Sequence, residues 1–294
     1  MKNILVAGAN SYIGTSFSDY LAQSEFQEIY HVDTLDMIGD AWHSFDFSKY
    51  DVVYHVAGIA HSDTGKISEE RKKIYYEVNT NLTIECATKA KSSGVKQFIF
   101  MSSSIVYGES APIGKEKYIT RNTPVNPTNC YGDSKVQAEK GILLLNDDTF
   151  KVVILRPPMI FGKNSKGNYP LLSRIAQKLP VFPKVENHRS MLYVGNLVEF
   201  VRLMIENEEQ GIFFPQNSMY SNTSEVISMI AKAHGKHCIL VPGFVWALKF
   251  LGHITNVVNK AFGNFTYEQT MSEYKIPYQR FSLQEAINIT ERAE

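Results

Sequence analysis

Cysteine is scarce in this chain. Cys86, Cys130 and Cys238 are its only three, and none share a CxxC or CxxxC spacing. An odd number of scattered thiols argues against a disulfide framework or a zinc site, so no metal is expected, and it fits a reducing compartment. An excess of one charge is also missing, with 30 Lys and Arg against 30 Asp and Glu over 294 residues. A balanced chain has no basic footprint, so no nucleic-acid partner is expected. No apolar run reaches the ~20 residues that a bilayer span needs. The most apolar late stretch, residues 239–252, is interrupted by Pro242, Gly243 and Lys249 and reads as a core helix of a small lobe rather than a membrane-surface helix. The opening MKNILVAGAN has no charged region followed by an apolar one and a cleavage site, so a cytoplasmic protein without a secretory signal is expected.

What is present describes a folded α/β protein. A hydrophobic fraction of 44% and a charged fraction of 20% are ordinary for a globular chain, and the length suits one large domain or two lobes. Short apolar runs alternate with helical patterns through the first half, which predicts a doubly wound parallel sheet covered by helices. Strands are expected at 3–7, 28–32, 52–56, 97–102 and 152–156, and helices at 13–23, 67–93 and 131–146. The runs ILVAG, DVVYHVA and KQFIFMS are nearly continuous in apolar residues, as strands buried on both faces should be. Pro157 and Pro158 end the regular alternation. Helices then follow near 171–178, 195–206 and 223–233, with a strand near 212–214.

The segment LVAGANSYIG places Gly8 and Gly14 on the turn from the first strand into the first helix. Glycine permits the tight turn and close helix packing, and the helix N-terminus offers N–H groups to a pyrophosphate. Asp33 follows about 20 residues later, where a carboxylate accepts hydrogen bonds from an adenosine ribose. It would repel the 2′-phosphate of NADP, and residues 3–48 contain no Lys or Arg, so NAD is the expected dinucleotide. Further on, Tyr131 and Lys135 form a Tyr-x-x-x-Lys pair about thirty residues past a strand that ends in Met-Ser-Ser-Ser. Four residues apart on a helix means one face. A cation there, with an oxidised nicotinamide, would bring the phenol of Tyr131 down from ~10 toward working pH.

These motifs together resemble the extended short-chain dehydrogenase/reductases, in their NAD-dependent nucleotide-sugar epimerase/dehydratase branch. The resemblance is dense over about residues 1–162 and thinner beyond. It implies a Rossmann-type NAD-binding domain over 1–156, rejoined by 190–215, and a smaller substrate-binding lobe over 157–294. The branch uses TGxxGxxG where this chain has AGANSYIG, so Ser11 stands at the middle glycine, followed by Tyr12, Ile13 and Gly14 as cofactor contacts. Residues 51–61, DVVYHVAGIAH, resemble a segment whose backbone lines the adenosine side, including Ala57. His55 and His61 within it are read as packing or loop residues, and Cys130 as passive.

Ser103, Tyr131, Lys135 and Asn79 match the catalytic set of that branch, with Ser104 the alternative hydroxyl. Arg189, in HRSMLYVGNLVEF, resembles the arginine that contacts the nucleotide diphosphate. Two departures stand out: Met159 where an asparagine is common, and no clear second phosphate-binding arginine, though Arg280 is available. Lys166, Asn168 and Tyr169, in the intervening loop, are expected from their location alone to face substrate. The resemblance implies an epimerase that inverts C4 of a nucleotide sugar, expected to be a UDP-sugar, through a transient 4-keto intermediate. The alternatives are a 4-keto sugar reductase and a silent dinucleotide-binding regulator. A 4,6-dehydratase is disfavoured, because Ser104-Ile105 stands where dehydratases carry Asp-Glu. The resemblance further implies a homodimer through helices 81–93 and 131–146.

Overall fold

A computed structural model describes residues 1–60, 67–254 and 256–292. They divide into two units, the first comprising Met1–Gly108, Val125–Pro157 and Val198–Phe213.

Unit 1 is built on six parallel strands: β1 (Lys2–Ala7), β2 (Tyr30–Leu35), β3 (Val52–His55), β4 (Gln97–Met101), β5 (Lys151–Leu155) and β6 (Gly211–Phe213). Their spatial order is β6-β5-β4-β3-β1-β2. Chain order therefore reverses between β1 and β3, the crevice where doubly wound sheets bind ligands. Ile4, Leu5, Val6 and Ala7 are fully buried, as are Val53, Tyr54, Phe98, Ile99 and Phe100. One sheet face packs Leu5, Val53, Phe98, Phe100, Val152 and Ile154 into a core with Cys86, Ala90, Ala138 and Ile142 from the covering helices. Burial on both faces explains why the strands read as unbroken apolar runs.

Four helices of this unit matter for the site: α1 (Tyr12–Leu21), α2 (Glu69–Tyr76), α3 (Leu82–Ser92) and α4 (Cys130–Leu143). Helix α2 starts at Ser68, whose side chain accepts from Arg71 N, with Glu69 and Glu70 in its positive first turn. A π-helical turn, Glu77–Asn81, joins α2 to α3, so the single helix expected over 67–93 carries a widened turn. Helix α3 ends at Gly94, whose φ of 85° takes the left-handed cap that glycine adopts without cost.

Unit 2 comprises Glu109–Pro124, Pro158–Leu197 and Phe214–Glu294. Three short parallel pairs organise it: Met159–Phe161 with Met191–Tyr193, Tyr118–Ile119 with Thr266–Tyr267, and Val181–Pro183 with Ile239–Val241. Its core gathers Phe161, Tyr169, Phe182, Ile227, Ile230, Phe262 and Ile287.

Four expectations change here. The return to the first unit narrows from 190–215 to Val198–Phe213, because Met191–Tyr193 pairs with Met159–Phe161 and not with the six-stranded sheet. Residues 109–124 belong to unit 2, since Tyr118–Ile119 pairs with Thr266–Tyr267. Tyr169 is a core residue, 2% exposed and stacked on Phe161 at 5.1 Å, and so does not face substrate. The helix Val245–Ile254 turns only part of its surface inward. Val245 and Leu248 pack on the core, while Trp246 and Phe250 are 73% and 65% exposed.

Candidate active site

The turn after β1 is shaped by close backbone approach. Gly8 has φ 127°, and a Cβ there would lie 2.6 Å from the backbone nitrogen of Ala57, which itself donates to Ala7 O at 2.9 Å. Only glycine fits a left-handed conformation with backbone on that side. Asn10 is also left-handed at φ 62°, a conformation asparagine tolerates. Ser11 then caps α1: its Oγ accepts from Gly14 N at 3.1 Å. Serine at the middle glycine position is thus a helix N-cap, and a Cβ on Gly14 would come within 2.6 Å of that same Oγ. Tyr12 and Ile13 form the first turn of α1, whose leading N–H groups lack intrahelical acceptors.

Asp33 lies within β2, not at its end. Tyr50 Oη donates to its Oδ2 at 2.6 Å, and His31 and Lys49 stand at 3.4 and 3.6 Å. The Tyr50 hydrogen bond, aided by His31 and Lys49, holds its carboxyl below the usual range, so it is ionised at neutral pH. Lys49 is a cation that the cation-free run 3–48 did not foreshadow. These features fit a dinucleotide: a cradle at Gly8 that a Cβ would fill, a capped helix N-terminus, and an anion ready for ribose hydroxyls.

The catalytic candidates come together where β4 ends and α4 begins. Asn129 caps α4, its Oδ1 accepting from Gly132 N at 2.8 Å, which places Tyr131 in the first turn. Ser103 hydrogen-bonds the phenol of Tyr131, and also accepts from Ile105 N at 3.3 Å. Ser104 instead opens a 3-10 turn and donates its backbone N–H to Pro157 O at 2.9 Å. Burial pushes the Tyr131 phenol up, and the Ser103 hydrogen bond pulls it down. The lowered phenol expected from sequence needs the further positive charge of a bound cofactor. Lys135, one turn along, is 5% exposed and donates to Met101 O at 2.9 Å. Burial brings its ammonium down to about 8, while the negative charge of Glu139 holds it up.

Asn79 is fully buried in the π-helical turn. Its Oδ1 accepts from Ile59 N at 2.8 Å, and its Nδ2 donates to Ile59 O and to Ser134 Oγ, each at 3.1 Å. It therefore ties the loop after β3 to α4. Thr80 adds a bond to Ser134 O at 2.8 Å. Helical π turns recur at functional sites because the extra residue re-aims side chains.

Sequence reasoning missed three features. Gly58 lies against both Asn79 and Lys135, since its Cβ would meet Oδ1 at 3.0 Å and Nζ at 3.2 Å. Beneath them, Glu139 is 3% exposed and accepts from Arg156 through Nε at 3.1 Å and Nη2 at 2.6 Å. Ser102 donates to the same carboxylate, and Arg156 Nη1 reaches Tyr107 Oη at 2.7 Å. The i,i+4 step from Lys135 to Glu139 was a usable signal for this network. His55 is a packing residue, buried between Phe98 and Phe100, and burial holds it neutral with a pKa of about 3. His61 lies outside the described residues. No group of His, Cys, Asp and Glu able to hold a metal occurs among the described residues.

In unit 2, Arg189 is fixed by its backbone, which exchanges hydrogen bonds with Ser221 at 3.0 and 2.9 Å. Its Nη1 donates to Gly263 O at 2.7 Å. Burial alone lowers its guanidinium to about 10; no carboxylate pairs with it among the described residues. A hollow of about 220 Å³ is lined by the adjacent His188 and Asn264, with Lys117 and Tyr220. Arg280 is exposed, as is Lys166.

Comparison with known proteins gives the family of the chain. A family model described as NAD dependent epimerase/dehydratase matches residues 4–214. UDP-glucose 4-epimerase of Vibrio cholerae is 32% identical over 272 residues, covering 86% of this chain and 82% of that protein. An N-acetyl-alpha-D-glucosaminyl-diphospho-ditrans,octacis-undecaprenol 4-epimerase of Escherichia coli O157:H7 is 31% identical, covering 71% and 65%. Among solved structures, UDP-glucuronic acid 4-epimerase from Bacillus cereus in complex with NAD superposes with a TM-score of 0.74, at 18% identity, covering 98% and 97% of the two chains. The six-stranded sheet, the Gly8 turn and the extent of these matches have one reading: the chain belongs to the NAD dependent epimerase/dehydratase family.

Proposed function

We propose that this protein is an NAD-dependent epimerase that inverts C4 of a sugar carried on a diphosphate, with a UDP-sugar as the first candidate. The observation that carries this reading is the convergence of Ser103, Tyr131, Lys135 and Asn79 within one unit, beside the Gly8 turn. In it, Tyr131 Oη takes the proton of the sugar 4-hydroxyl while hydrogen leaves C4 as hydride, giving a 4-keto sugar. A bound dinucleotide would supply the hydride acceptor and donor for this step, so that C4 can regain its hydrogen with inverted configuration. Tyr131 then gives its proton back to O4, so the cycle has no net oxidation. Ser103 bonds the same phenol and shares the developing charge. Lys135 offers its ammonium to the phenolate and to ribose hydroxyls. Asn79 holds geometry and does no chemistry. Arg189, half-buried and with no carboxylate partner among the described residues, suits a diphosphate.

The same reading pairs two copies through α3 and α4 and places the enzyme in the cytoplasm, supported by three free cysteines. No helix among the described residues is long and apolar enough to cross a membrane. A polyprenol-linked sugar diphosphate is the second candidate substrate, favoured by the likeness to the undecaprenol-linked 4-epimerase of Escherichia coli O157:H7.

The test is proton NMR of the purified protein with UDP-glucose, UDP-galactose and their N-acetyl forms, with no dinucleotide added. Appearance of the C4 epimer is expected. Failure on these and on a polyprenyl-diphosphate sugar, with NADH or NADPH consumed by a 4-keto sugar nucleotide, would make it a reductase.

A further inference from the structure

The helix Val245–Ile254 has apolar side chains on both of its sides. Val245 and Leu248 pack inward on the core of unit 2. Outward stand Trp246 at 73% exposure, Phe250 at 65%, and Phe244 at 50% just before the helix. The strand pair that precedes it continues the apolar surface, with Ile239 and its partner Val181 both exposed. An exposed apolar face of this kind is ordinarily covered by protein or lipid.

Charge selects between occupants. From residue 226 to residue 267 the chain contains no Asp or Glu, while Lys232, Lys236, Lys249 and Lys260 fall within it. Lys249, exposed on the helix itself, lies over Gly114, a Cβ on which would meet its Nζ at 3.1 Å. Exposed aromatic side chains with Lys249 on the same helix, in a stretch of chain without carboxylates, match the interface of an anionic bilayer. A second copy fits less well, because a two-fold contact sets each patch against itself and brings like charges together.

We propose that this helix seats the protein on an anionic phospholipid surface. Trp246, Phe250 and Phe244 enter the headgroup and upper acyl region, and Lys249 stays at phosphate level. The chain lies on the bilayer and does not span it. The docking concerns a surface remote from the catalytic set in sequence and holds whether the sugar is carried on a nucleotide or on a lipid.

The experiment uses the full chain and vesicles of phosphatidylcholine with and without phosphatidylglycerol. Trp42 and Trp246 are the only tryptophans, and Trp42 is 1% exposed. In Trp42→Phe the emission therefore reports Trp246 alone. We expect a blue shift on adding phosphatidylglycerol vesicles, quenching by lipids brominated near the headgroup, and reversal by salt. Cosedimentation of the wild type should fall about tenfold or more in Trp246→Ser/Phe250→Ser. This second measurement does not depend on the Trp42 substitution, and the double variant should still epimerise a soluble UDP-sugar. An unshifted Trp246 with wild-type protein left in the supernatant of both vesicles would overturn the proposal. So would a dimer that the double variant splits while vesicles bind neither form.

Discussion

The ammonium of Lys135 donates to the main-chain carbonyl of Met101 at 2.9 Å. This bond joins the first turns of α4 to the end of β4, two residues before Ser103. The Phe100 ring lies 4.6 Å from the same nitrogen, and little water reaches it. A desolvated ammonium in a fixed place needs no reorganisation when charge develops on a neighbour. Since Tyr131 and Lys135 are four apart on α4, the bond also sets where the phenol can point.

Tyr131→Phe removes one oxygen and leaves the ring packed against Tyr75 at 6.2 Å. Epimerisation should fall by about 10³ or more, as expected when a general acid–base is deleted. Retained dinucleotide should be unchanged, because the Gly8 turn and Asp33 are untouched. NMR turnover and the nucleotide released on denaturation measure the two effects separately.

Gly8→Ala should act in the opposite way. A Cβ 2.6 Å from Ala57 N, on a residue at φ 127°, forces β1 and the loop after β3 apart. The variant should purify with little dinucleotide and lose about 1–3 kcal/mol of stability from backbone strain. Urea unfolding and the absorbance ratio of the purified protein check both.

The buried ion pair allows a paired test. Glu139→Gln leaves Arg156 charged with its main partner gone and should cost about 3–5 kcal/mol. The double variant Glu139→Leu/Arg156→Met should recover much of that loss, as apolar replacements of buried pairs do. Urea midpoints of the three proteins decide it.

The sheet was legible because buried parallel strands need unbroken apolar runs, and ILVAG, DVVYHVA and KQFIFMS supply them. Strand β2 was displaced, expected at 28–32 and found at Tyr30–Leu35, because it is an edge strand whose exposed His31 and Thr34 dilute that signal. The Tyr131–Lys135 spacing disclosed a shared helix face. It could not disclose the π turn that aims Asn79 at Ile59, since nothing local in EVNTN distinguishes it from ordinary helix. Lys49 is 16 positions from Asp33 and reaches it only through the fold. The apolar run 239–252 has one composition whether its aromatics face a core or solvent, and only the packed Val245 and Leu248 separate the two faces.

Lys135 also predicts a pH effect on stability. Burial lowers its folded pKa to about 8, against ~10.4 in an unfolded chain. Below pH 8 both states hold the proton and the full cost of burying the charge is present. Between about 8 and 10 the unfolded state holds more protons, so this group makes stability rise with pH. Cys86 opposes it, since burial raises its thiol and the unfolded state releases that proton first. Comparison with Lys135→Met cancels the cysteine. The wild type should gain stability relative to this variant as pH goes from 7.5 to 9.5, by about 1–2 kcal/mol. Urea unfolding at three pH values measures it; a difference that is flat with pH would mean that Lys135 is not a desolvated ammonium.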